Sequence, residues 1–218
     1  MALALLNGPD TALAHDVSRG DRAFVQTVSG PAFFPFLYLG AKHMVTGYDH
    51  ILFLLGVVLL LRRARDVALY VSMFTIGHSA TLLLGVLSGV GADAHVVYAI
   101  IGLSVVYKGI DNLGGLERLG LRPDQRIVIL IFGLFHGLGL ATKLLDLAMP
   151  ANGLLTNLVA FNLGVEAGQI LILLPLVAVL GLWRTTLAFA TAARLTSILL
   201  VALGLAIMVH QIGEFTAS

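Results

Sequence analysis

The stretch Gly40-Ala-Lys-His43-Met-Val-Thr-Gly-Tyr-Asp49-His50-Ile-Leu-Phe decides the reading, because it sets two imidazoles and a carboxylate inside a run apolar enough to cross a membrane. A helix returns to nearly the same azimuth after seven residues, so His43 and His50 are predicted on one face, two turns or ~10 Å apart. Asp49 falls ~100° around from His50, which suits it to orienting a neighbouring ligand rather than sharing one. Each ionisable group at membrane depth costs ~2.5 kcal/mol or more, so it marks function by default.

The composition surrounding that stretch agrees. Of 218 residues, 58% are hydrophobic and 11% charged, and mean hydropathy is +0.97; soluble domains carry roughly 25% charged residues. The chain reads as an integral membrane protein. A net charge of +1 offers no basic surface for nucleic acid. With no cysteine, disulfides, thiolate metal sites and cysteine nucleophiles are excluded. Any metal must rest on histidine, carboxylate, amide oxygen or water.

Two regions are expected. Residues 1–33 form a polar lead, in which Ala12-Leu-Ala14 before His15 has the small-x-small form of a signal-peptide cleavage site, and Asp16, Arg19, Asp21 and Arg22 read as solvated. Residues 34–214 form one transmembrane domain of about six helices, spanning roughly 36–61, 67–88, 95–112, 126–146, 155–181 and 190–212. Ten-residue strand alternation is absent, so the fold class is all-α. Arg62, Arg63, Arg65, Lys108, Arg118, Arg122, Arg126, Arg184 and Arg194 crowd alternate connections, whereas 89–94 and 147–154 contain no Lys or Arg. The positive-inside rule then makes the arginine-rich loops cytoplasmic and puts both termini outside.

With that orientation, His78, His136 and Glu166 fall roughly 13–17 Å below the outer surface, His43 above that level and His50 somewhat below it. Such costly groups at similar depth are expected to converge on one interior. The second span reads Phe74-Thr-Ile-Gly77-His78-Ser79-Ala-Thr81, with Ser79 and Thr81 as local partners for His78; a packing histidine bonded to backbone is the plainer alternative. In the fourth, Gly133 and Gly137 beside His136 allow close helix approach, which explains the glycines but not the histidine. On the fifth, Asn162, Glu166 and Gln169 recur at helical spacing as one polar stripe. Glu166 must be protonated, paired or metal-bound. His95, Asp93, Tyr107, Lys108 and Asp111 read as structural, with Lys108 snorkelling to water, and His210, Gln211 and Glu214 read as a solvated helix end or an entry site.

An internal echo is also present. Gly40-x-x-His43 matches Gly133-x-x-His136, and Phe74-x-x-Gly77 matches Phe161-x-x-Gly164. With three spans per half, the matched helices run in opposite directions, as in inverted-repeat transporters.

Four ordered motifs, His43-x5-Asp49-His50, Phe74-Thr-Ile-Gly-His78-Ser, Phe132-Gly-Leu-Phe-His136-Gly-Leu-Gly and Phe161-Asn-Leu-Gly-Val-Glu166-x-Gly-Gln169, together resemble the HupE/UreJ family of hydrogenase and urease accessory membrane proteins. The resemblance covers roughly 36–212 and implies a six-helix bacterial inner-membrane protein regarded as a permease for nickel or a similar divalent metal. It implies a hydrogenase, urease or other metalloenzyme assembly system as client. The fourth-span motif departs from the form Phe-His-Gly-x-Ala-x-Gly-x-Glu of some members, since Leu138 and Leu140 replace small residues and the Glu is absent. Glu166 is the candidate to supply the missing carboxylate.

The residues support three readings. In the first, a transition-metal permease, His43 receives the ion, His50, His78 and His136 bind it with Glu166, and Asp49, Ser79, Asn162, Gln169 and His210 orient ligands or line the pathway. Nickel is the leading cargo, with zinc, copper, iron or cobalt compatible with the same donors. The second is an intramembrane metalloenzyme, a hydrolase or oxidase with an open metal position. The third is a metal-sensing or assembly subunit that docks through the lead containing His15. Oligomeric state is left open.

Overall fold

The computed structural model describes residue 25, residues 27–146 and residues 151–217. Of the polar lead, the cleavage-like Ala12–Ala14, His15 and the charged positions 16–22 lie outside the described residues. So does the loop 147–150. Among the described residues there is no strand, and eight helices follow in order: α1 (Phe33–Thr46), α2 (Tyr48–Val58), α3 (Ala64–Ser88), α4 (Ala94–Asn112), α5 (Gly115–Arg118), α6 (Gln125–Asp146), α7 (Leu154–Trp183) and α8 (Phe189–Ala217). Five of these, α3, α4, α6, α7 and α8, are long and apolar enough to cross a membrane. The protein is an all-α, multi-pass membrane protein.

The first span departs from the sequence reading. In place of one helix over 36–61 there are two, of 14 and 11 residues, joined at Gly47, whose φ of −75° and ψ of 91° are not helical. Space is the reason for a glycine here: a Cβ would come within 3.0 Å of both the His43 carbonyl oxygen and His50 Nδ1. Helix ends inside a protein leave unsatisfied carbonyls, and other elements cap the C-terminal end of α2. Arg184 Nη2 donates to the carbonyls of Val58 at 2.7 Å and Leu59 at 3.1 Å, and Asn112 Nδ2 donates to that of Gly56 at 2.8 Å. At the opposite end Asn157 ties α7 to the chain entering α1, accepting from Ala32 N at 2.7 Å and donating to Gly30 O at 3.1 Å.

Helix packing follows the small residues. The extensive pairs are α1 with α7, α3 with α6 and α4 with α8. Gly40 abuts the Phe161 carbonyl, and its sequence counterpart Gly133 abuts the Phe74 carbonyl. Gly164 lies against Leu37 and Ala41, while Gly77 lies against Leu130 and Leu134, positions related to Gly40 and Gly133 in the same way. In α4 and α8, Gly102 lies against Gly204 O and Met208 N, and Gly204 against Gly102 O and Val106 N. The α1–α7 contact is thus repeated as α6–α3, and α4 and α8 meet each other around an approximate two-fold. The echo between the halves is structural.

Lys108 corrects a smaller expectation. It does not snorkel: it is 4% exposed, and its Nζ reaches Asp111 Oδ2 at 2.6 Å, beside Gln125. Gln125 also donates to Tyr107 Oη at 3.1 Å, so the group closes the arginine-rich end of α4 against α6.

Candidate metal centre

The break at Gly47 builds the centre. Because α2 restarts there, His50 is drawn toward His43, and their ring centroids are 5.2 Å apart instead of the two-turn separation a continuous helix would give. His50 then becomes a hub, with its ring 4.8 Å from that of His136 and 5.9 Å from that of His78. Imidazoles from α1, α2, α3 and α6 meet at one place. Asp49, His50, His78 and His136 are each 1% exposed, and His43 is half-buried.

Hydrogen bonds set the tautomers. His50 Nδ1 lies 3.2 Å from Asp49 Oδ1, so Nδ1–H donates to the Asp49 carboxylate and the lone pair of His50 resides on Nε2. Ser104 donates its hydroxyl proton to Ile101 O at 2.6 Å, and its oxygen then accepts from His136 Nε2 at 3.2 Å. This puts the lone pair of His136 on Nδ1. Ligating atoms of Asp49, His50 and His136 lie within 4.8 Å of one another. Opposite ligands of a transition metal stand about 4 Å apart, given bonds of ~2.0–2.1 Å, so small inward movements suffice. His78 contributes a further sign: neither ring nitrogen has a hydrogen-bond partner among the described residues. A buried polar atom left so costs about 1–3 kcal/mol, and an ion or water is what satisfies it.

Below the imidazoles lies an aromatic layer. Phe53, Phe74 and Phe132 each lie about one turn nearer the arginine-rich end than His50, His78 and His136. The Phe53 ring is 5.3 Å from Phe74 and 5.9 Å from Phe132, and Phe53 and Phe74 pack on His136 at 5.4 and 5.1 Å. Such a layer has no donor for an ion.

Other predicted residues lie apart. Ser79 bonds Asn162 Nδ2 at 2.8 Å, and the Thr81 hydroxyl reaches Leu134 O at 2.7 Å, so these bonds tie α3 to α7 and α6. Asn162, Glu166 and Gln169 do share one face, turned toward α3, where Gln169 Oε1 lies 2.8 Å from Thr75 Oγ1. Glu166, however, lines a separate cavity between α3 and α7 and is absent from the compact Asp49, His50 and His136 group. A helical wheel shows which residues share a face but not which neighbour that face meets. His210 is exposed near Glu214, 4.0 Å away, in keeping with a solvated helix end. Ser104 was not singled out in the sequence; a lone hydroxyl mid-span is its only signal.

A multi-pass helical membrane protein with a buried histidine and carboxylate group is the class these observations define. The family model described as HupE / UreJ protein matches residues 19–214, and the chain belongs to that family. No curated protein and no solved structure matches it.

Proposed function

We propose that the protein is a bacterial inner-membrane permease for a divalent transition metal, nickel foremost, that supplies metalloenzyme maturation. The observation that carries this reading is the meeting of four imidazoles with Asp49 above a phenylalanine layer. Imidazole suits nickel, cobalt, zinc, copper and iron alike, and family membership favours nickel among them. His43, half-buried, receives the ion from the outer side, the side of both termini. His50, His136 and His78 bind it, Asp49 and Ser104 holding the first two in the ligating tautomer. Passage inward requires Phe53, Phe74 and Phe132 to part. The repeated α1–α7 and α3–α6 contacts support such a motion, since one half of the bundle rocking against the other opens a central site to each side in turn.

The test is uptake of radiolabelled nickel by proteoliposomes holding the full chain. Replacing His50 and His136 together by alanine is expected to abolish it, and unchanged uptake would refute the proposal. An ion that stays bound through chelation and never exchanges would favour the metalloenzyme reading instead.

A further inference from the structure

The cavity between α3 and α7 contains a charge that its own walls do not balance. Its volume is about 480 Å³, and Ser72, Thr75, Glu166 and Gln169 line it among Val71 and Ile170. No Lys, Arg or His lines it. A half-buried carboxylate in an apolar lining with no cationic side chain is a place where a bound cation supplies the missing counter-charge.

The neighbouring amide supplies a second oxygen. Thr75 has one hydroxyl proton and two acceptors within reach, Val71 O at 3.0 Å and the Gln169 atom placed as Oε1 at 2.8 Å. The other corner of that amide, placed as Nε2, is buried with no hydrogen-bond partner, and Gln169 is 2% exposed. Amide oxygen and nitrogen are assigned from their surroundings, and turning this amide by half a circle removes the conflict over the single Thr75 proton. Thr75 then donates to Val71 O, the Gln169 NH2 donates to Thr75, and the buried corner becomes an acceptor. One stripe now carries a carboxylate and an unengaged amide oxygen beside a hydroxyl.

We propose that this cavity is a second cation site, separate from the imidazoles, in which Glu166, Gln169 and Thr75 bind sodium. Oxygen-only donors select hard cations over the transition metals that imidazole prefers. One carboxylate neutralises one monovalent ion, whereas a divalent ion would leave a net charge in an apolar lining. Thr75 stands three residues from His78, ~4.5 Å along α3 toward its arginine-rich end. The site stands without the permease reading; its role in driving metal transport rests on that reading.

Equilibrium binding of radiolabelled sodium to the full chain in lipid nanodiscs, with transition metals chelated, tests it. Saturable binding is expected, weakened about tenfold or more by E166Q and about threefold by T75V, each tenfold step being one decade of Kd. An unshifted thermal transition of E166Q shows that the variant is folded. No saturable binding by the parent chain, or equal binding by E166Q, overturns the site. So does an infrared carboxyl band that E166Q removes and that persists at neutral pH in high sodium, since it would mean that Glu166 holds a proton. Sodium binding by a chain that carries no nickel upholds the site and removes the permease reading alone.

Discussion

Ser104→Ala removes one oxygen atom and tests how the centre is tuned. Ser104 is fully buried, its hydroxyl proton is committed to Ile101 O at 2.6 Å, and its oxygen accepts from His136 Nε2 at 3.2 Å. Alanine leaves that N–H in an apolar setting, at a cost of about 1–3 kcal/mol. His136 can escape the cost by moving its proton to Nδ1, but this spends the lone pair that faces the ion. Either route charges the penalty to metal binding, which is expected to weaken about 10- to 100-fold, the usual effect of losing such an outer partner. Titration calorimetry with nickel on the purified chain reads the ratio of dissociation constants. Nitrogen-labelled histidine spectra read the tautomer directly, with His136 shifting toward Nδ1–H in the variant. A nickel affinity within about twofold of the parent, with the tautomer unchanged, would refute the reasoning, since 1.4 kcal/mol is tenfold.

Three further outcomes are expected. Protons and metal compete for the same imidazole lone pairs, so low pH favours the metal-free form, and nickel affinity is expected to fall as pH is lowered, measured by calorimetry across pH. Gly40→Ala and Gly133→Ala each drive a Cβ into a backbone carbonyl, of Phe161 and Phe74 respectively, and are expected to lose a similar ~1–3 kcal/mol. Gly181→Ala meets nothing within 4 Å and is expected to stabilise α7 by up to ~1 kcal/mol, all three read by thermal unfolding in detergent.

How much of this was legible in the sequence depends on whether a feature is local. Apolar length and loop charge predict the class of fold, and buried histidines at matched depth predict their own convergence, because membrane burial makes each too costly to stand alone. Glycines four apart predict close helix contacts, and the structure puts carbonyls against them. The break at Gly47 was not legible, since a single glycine in an apolar run is tolerated in a helix and only the folded site shows His50 Nδ1 and the His43 carbonyl crowding the place of a Cβ there. The partner of the Asn162, Glu166 and Gln169 face was not legible either. That face turns to Thr75 and Ser79 of α3, a choice set by tertiary packing and not by spacing along α7.

The internal repeat explains the backbone of the centre but not its ligands, and the difference bears on function. His43 and His136 occupy matched positions in the two halves, each three residues past a glycine that lets its helix touch a neighbour. His50 and His78 have no such counterparts: His78 stands after Gly77, whereas the residue after Gly164 is Val165. The donors therefore concentrate on α2, α3 and α6 around His50, and the symmetry is broken where the ion is expected to sit. A repeat supplies two interconvertible arrangements of similar energy, and unequal donors make a bound ion favour one of them. A ligand shifts such an equilibrium only by its differential affinity for the two states. Under the proposed permease function, asymmetry at His50 and His78 is the feature expected to let metal binding, and not chance fluctuation alone, choose which side is open.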